Sequence, residues 1–134
     1  MDYKFQQYDG GRSKSKYQVN ADDCVVRTIA TVSRVSYDNA LQILNKAGVF
    51  NEGFQISTWF QRIGYTFAGY KIKGYSFPLN RGKVTMTRAQ FANTYTKGRF
   101  AVKIYGHLFC QVDGTVYDLA KGLGEKRVYN AWQF

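Results

Sequence analysis

The stretch Phe100-Ala101-Val102-Lys103-Ile104-Tyr105-Gly106-His107-Leu108-Phe109-Cys110-Gln111-Val112-Asp113-Gly114-Thr115-Val116-Tyr117-Asp118 decides how this chain is read. Residues 100–105 and 107–112 are rich in Val, Ile, Phe and Tyr and have the length of strands. Asp113-Gly114 is a strong two-residue hairpin signal, because both residue types tolerate the positive φ that a tight turn demands, and 115–118 reads as the return strand. An antiparallel pair centred on that turn sets Val112 opposite Thr115 and Leu108 opposite Leu119. Asp118 then falls about one step from the row of His107.

Upstream the apolar period changes from strand to helix. Val25, Val26, Ile29 and Val32 form one helical stripe behind Asp22 and Asp23, which stand where N-caps belong, so Cys24 is expected in the first turn of a helix. Ser36 caps a second helix through Ala40, Leu41, Leu44 and Ala47 to a stop at Gly48. A third is expected from about Gln55 to Arg62, ending at Gly64. Thr87 caps a fourth that carries Ala89, Phe91, Ala92 and Tyr95 and closes at Lys97-Gly98. Gly-Tyr recurs at 64–65, 69–70 and 74–75, a period too short for a solenoid repeat, and marks strand and turn. A last strand is expected within 126–132. Helices first and antiparallel strands second is an α+β order. Residues 1–17, with Gly10-Gly11-Arg12-Ser13-Lys14-Ser15-Lys16, read as a flexible basic arm.

At 134 residues the chain has the size of a single domain, 1–134, and its 45% hydrophobic and 17% aromatic content suffices for one core. No apolar run approaches the roughly 20 residues of a membrane span. Met1-Asp2-Tyr3-Lys4-Phe5 lacks the basic-then-apolar layout of a secretory signal, so the expected location is cytoplasmic, with no membrane partner. Cys24 and Cys110 are the only cysteines and His107 the only histidine; reduced thiols are expected, and no metal or other cofactor. The net charge is +10, and no Asp or Glu occurs from Gly53 through Val112. Arg62, Lys71, Lys73, Arg81, Lys83, Arg88, Lys97, Arg99 and Lys103 all fall in that span, a distribution that favours an anionic partner such as nucleic acid or an acidic protein.

The chemistry resides in Cys24 and His107. A thiolate nucleophile needs a lowered pKa, which a helix N-terminus and a neighbouring imidazolium supply. With one histidine in the chain, a Cys–His mechanism has no other base available, and Asp118 is placed to orient the ring. Taken singly, each has an ordinary reading: a small core residue, a structural histidine, a surface acid. Their combination points to catalysis.

Gln18-Val19-Asn20-Ala21-Asp22-Asp23-Cys24 resembles the Gln-x-x-x-x-Asp-Cys stretch of the double-glycine-leader peptidases, a branch of the papain-like superfamily. Asp22-Asp23-Cys24-Val25-Val26-Arg27 followed by Gly106 to Asp118 is also similar to small phage proteins of papain-like type. The likeness covers residues 18–35 and 87–119. It implies a papain-like fold with the Cys at a helix start, packed with the N-terminal helices on a C-terminal antiparallel sheet. It further implies that Cys24 attacks a carbonyl, His107 shuttles the proton and Asp118 orients His107. Gln18, six positions before Cys24, would join the Cys24 backbone N–H as oxyanion donor. Val25 departs from the Gly or small residue usual after that Cys, and the leader peptidases space His and Asp more widely.

The reading that results is a cysteine peptidase or related thiol amide hydrolase of phage type, acting on a protein or peptide substrate in the host cytoplasm or virion. The alternative is a non-catalytic papain-like binding module. In it Lys71, Lys73, Arg81 and Lys83, interleaved with Tyr65, Phe67, Tyr70, Tyr75 and Phe77, would grip nucleic acid or a virion or host protein. Against that, the aromatics suit one packed sheet face and the charges a solvated one.

Overall fold

The computed structural model describes residues 2–16, 23–49 and 53–134. Strand β1 (Lys4–Gln7) leads through a 3₁₀ turn (Arg12–Lys14) to helices α1 (Cys24–Ser33), α2 (Tyr37–Ala47) and α3 (Gly53–Arg62). Strands β2 (Thr66–Phe67), β3 (Tyr70–Lys71) and β4 (Lys73–Ser76) follow. Helix α4 (Arg88–Thr94) then precedes β5 (Arg99–Ile104), β6 (His107–Val112), β7 (Thr115–Asp118) and β8 (Val128–Gln133). The architecture is α+β, with a six-stranded sheet in the order β1-β7-β6-β5-β8-β4 and a separate β2–β3 hairpin.

Local chemistry accounts for most boundaries. The Ser36 hydroxyl accepts from the Asn39 N–H at 3.1 Å, and Gly48 ends α2 in the left-handed conformation with its N–H returned to Leu44 and Asn45 carbonyls. Thr87 and Gln90 form a reciprocal capping box on α4. In the β6–β7 turn, Asp113 (φ 48°) and Gly114 (φ 82°) both take positive φ, and the register that follows pairs Val112 with Thr115, Gln111 with Val116 and Cys110 with Tyr117.

The sheet divides the core in two. On one face Val25, Val26, Ile29 and Val32 of α1 pack with Leu44, Ile56, Phe60, Leu108, Cys110 and Trp132. On the other, Phe91 and Ala92 of α4 cover Phe100, Val102, Phe109, Val116 and Val128. Each Val, Leu, Ile and Phe among them stabilises the fold by about 1.5–3 kcal/mol on burial. The Phe91–Tyr95 stack, 4.5 Å between centroids, adds the directional preference of paired rings.

Several expectations are corrected. The sheet is mixed rather than antiparallel, because β1 pairs with β7 in parallel from Lys4↔Thr115 to Gln7↔Asp118. Residues 4–7 of the supposed flexible arm are therefore a strand, and the arm continues as ordered backbone across α1. A side chain at Gly10 (φ 69°) would come within 2.6 Å of the Arg27 Cα. Short polar sequences read as linkers when their hydrogen-bond partners are more than 100 residues away. Helix α4 ends at Thr94, before Lys97-Gly98, and α3 begins at Gly53 rather than Gln55.

The β6–β7 turn makes a stability prediction. Gly114→Ala forces a Cβ into positive φ and within 3.2 Å of the Ala92 carbonyl oxygen, whereas Gly122→Ala meets nothing within 4 Å. The first should lower unfolding free energy by about 1–3 kcal/mol and the second by less than about 1 kcal/mol, read from urea midpoints.

Candidate active site

Cys24 is the first residue of α1, so its thiol stands at the positive end of a helix that is buried along nearly its whole length. The start of that helix is fixed by an unusual anchor. Asp23 occupies the N-cap position, but its side chain makes no capping hydrogen bond, a correction to the expected cap. Instead the fully buried carboxylate accepts from the Tyr37 hydroxyl at 2.7 Å and pairs with Arg12 and Arg27, each at 3.2 Å. Burial and the bond to Asp23 push the Tyr37 hydroxyl above its usual range. Removing one partner of a buried, paired charge costs several kcal/mol, so the residue before Cys24 is tied to the arm, to α1 and to α2 at once.

His107 opens β6 and Asp118 closes β7, so the hairpin register brings both to one end of the sheet. Strand parity puts them on the α4 face with Phe109. The His107 Nε2 donates to Asp118 Oδ2 at 2.8 Å. The ring is also hydrogen-bonded to the Cys24 side chain. Since Nε2 is taken, Nδ1 is the ring nitrogen open to the thiol. Helix and sheet thus bring Cys24, His107 and Asp118 into one line.

Burial alone would lower the His107 pKa. The hydrogen bonds to Asp118 and Cys24, with their charges, outweigh it and raise the ring to about 9. Burial acts the opposite way on Asp118 and pushes it up, but the His107 bond and charge, the Arg88 charge and the Leu119 N–H together hold it below the usual carboxylate range. The carboxylate accepts three donors: His107 Nε2 and Arg88 Nη1 on Oδ2, and the Leu119 N–H on Oδ1, each at 2.8 Å. Arg88, one of the cations of the acid-free span from Gly53 to Val112, is fully buried. Nothing local marks it, since the partner that neutralises it lies 30 positions away.

A crevice of about 10 Å³ beside Cys24, room for about one water, is lined by Tyr8, Gly10, Arg27, Leu108, Tyr117 and Asp118 among others. Gln18 lies outside the described residues. Both cysteines are free thiols, and burial raises Cys110 well above an ordinary thiol. Among the described residues no group of three or more His, Cys, Asp and Glu converges as metal ligands would, and no helix is long and apolar enough to cross a membrane.

Lys71, Lys73, Arg81 and Lys83 are exposed, on β3, β4 and the tight Asn80–Lys83 turn. Their interleaved aromatics are mostly spent on packing. Phe67 meets Trp59 and Phe134, Tyr70 meets Phe134, and Tyr75 and Phe77 meet Tyr95. Of the five aromatics only Tyr65 is exposed.

The pair makes stability depend on pH from both sides. The His107 contribution, from a raised pKa, is fully present below about pH 6.5 and is lost as pH rises through about 9. The Asp118 contribution, from a lowered pKa, is present above about pH 3.9 and is lost as pH falls through its folded value. Urea midpoints should therefore fall between pH 6.5 and 9.5 more steeply for the native sequence than for His107→Gln. No family model, curated protein or solved structure matches this chain.

Proposed function

We propose that the protein is a papain-like cysteine hydrolase, of the kind phages encode, that cleaves a peptide or isopeptide bond in a protein substrate. The observation that carries this is the line Cys24–His107–Asp118. A thiol at a helix start meets the only imidazole in the chain, whose far nitrogen is bonded to a buried carboxylate. The likeness of residues 18–35 and 87–119 to papain-like proteins supports the same assignment.

In the reaction the proton of the Cys24–His107 pair rests on His107, whose raised pKa of about 9 keeps the ring charged near neutral pH, as Sγ adds to the carbonyl carbon. The oxyanion is met by the Cys24 backbone N–H, one of the unpaired donors of a helix start, and by the Gln18 amide assigned through the resemblance. The C–N bond then breaks, His107 gives the proton to the leaving amine, and an acyl thioester remains on Cys24. Water, deprotonated by His107, hydrolyses that ester and restores the thiol. Asp118 steadies the imidazolium throughout and does not itself take the proton.

The test compares alkylation of the two thiols across pH. Cys24 should react with iodoacetamide at pH 6.5 at least about tenfold faster than Cys110, and His107→Ala should remove that advantage. Equal rates, or a Cys24 rate indifferent to His107, would end the hydrolase reading.

A second reading has one observation in its favour: among the described residues, none of Lys71, Lys73, Arg81 and Lys83 forms an ion pair. These cations supply a field for an anionic partner, nucleic acid or acidic protein, without the stacked aromatics that single-strand binders use. Replacing all four with Ala should flatten the salt dependence of nucleic-acid binding by about 3–4 in the log–log slope if that field is the binding surface. An unchanged slope would dismiss it.

A further inference from the structure

Arg88 is the largest fully buried side chain among the described residues, and the reaction as written leaves it without a role. Its main chain is held at the start of α4 by the Thr87 capping box and by an N–H donated to the Lys126 carbonyl at 2.9 Å. The guanidinium lies 4.7 Å from the Phe109 ring centroid, 5.4 Å from Phe5 and 5.6 Å from Tyr3, so three aromatic rings surround it.

Arginine facing a carboxylate commonly binds it with two parallel N–H groups. Here the fork is split. Nη1 donates to Asp118 Oδ2 at 2.8 Å, while Nη2 donates to the Ala120 carbonyl at 2.7 Å, two residues further along the same chain. Leu119 N–H occupies Oδ1. The carboxylate is thus clamped by two donors against its own backbone, and its remaining open position on Oδ2 faces His107 Nε2. Rotation of Asp118 away from the ring would leave Nη1 as a second buried guanidinium N–H without an acceptor, beside Nε, which has none among the described residues, at a cost of several kcal/mol.

We propose that Arg88 is the positioning residue of the site: it clamps Asp118 so that Oδ2 meets His107 Nε2, and thereby keeps Nδ1 of the ring turned to Cys24. This inference rests on the hydrolase reading for its purpose. Arg88 touches no reacting atom and acts only through Asp118. A role confined to filling the core would be served by any side chain of that volume, and would leave the proton arrangement on the ring untouched.

The experiment uses the full chain with ¹⁵N-labelled histidine, where the single ring gives an unambiguous signal. Recorded above about pH 9, where the ring becomes neutral, the ring of the native protein should carry its proton on Nε2. Arg88→Met keeps the apolar stem and removes every donor. It should yield a mixture of the two tautomers and slow Cys24 alkylation at pH 6.5 by about tenfold or more. Arg88→Lys restores one charged donor to Asp118 and should fall between. A folded Arg88→Met protein with the native tautomer and the native pH profile of alkylation overturns the proposal. Should Arg88→Met fail to fold, Arg88→Lys decides alone, since it keeps the charge but lacks the second arm to Ala120. A native tautomer and profile in that variant overturn the proposal too. The tautomer is read without substrate, so it decides the role of Arg88 separately from whether Cys24 is a nucleophile.

Discussion

A carboxylate cannot be buried unless its charge is answered, and the answer given to Asp118 organises much of this molecule. It is 4% exposed and accepts from His107, Arg88 and the Leu119 N–H, so one side chain binds the head of β6, the head of α4 and the chain leaving β7. The pairing of β1 with β7 reaches the same residue, with Gln7 opposite Asp118 and the Tyr8 N–H on its carbonyl. Removing the carboxylate strands the Arg88 guanidinium in a low-dielectric interior. The geometry around the imidazole is therefore tied to the folding of the whole sheet.

Asp23 answers the same constraint on the other side of the site. Its partners Arg12, Arg27 and Tyr37 come from the arm, α1 and α2, and together they fix where α1 starts. A helix whose first residue is Cys24 needs that start set to within one residue, because each residue rotates the side chain by about 100° around the axis. Two buried carboxylates thus flank the Cys24–His107 contact, one setting the thiol and the other setting the ring.

The parts of this arrangement that were legible in the sequence are those encoded by neighbours. The Asp113-Gly114 turn set the β6–β7 register, and with it the distance from His107 to Asp118. Ser36, Thr87 and Gly48 acted where capping chemistry placed them. The parts that were not legible depend on partners far along the chain. Lys4–Gln7 is a strand only because β7 offers it an edge, and nothing in Lys-Phe-Gln-Gln alternates strongly enough to announce it. Arg88 looked like one more cation of the acid-free span because its acceptors, Asp118 and the Ala120 carbonyl, lie at least 30 positions away. Asp23 was read as a cap because that is the local use of an Asp before a helix, while tertiary contact claimed its oxygens instead. The aromatics between Tyr65 and Phe77 could have faced a ligand or a core, and packing against Tyr95, Trp59 and Phe134 decided it.

The strand order has a consequence for how the protein is made. Val128–Gln133 is inserted between β5 and β4, and Lys4–Gln7 waits for an edge that appears only with Thr115–Asp118. A chain emerging from the ribosome exposes Cys24 early, but the imidazole and its carboxylate come late. The strand that seals the far edge of β5 comes later still. Chains that stop before His107 therefore carry the thiol without its base, and those that stop after Asp118 present Arg99–Ile104 as an open apolar edge suited to aggregation and disposal. Sheet topology of this kind keeps the reactive pair unassembled until synthesis has passed β7.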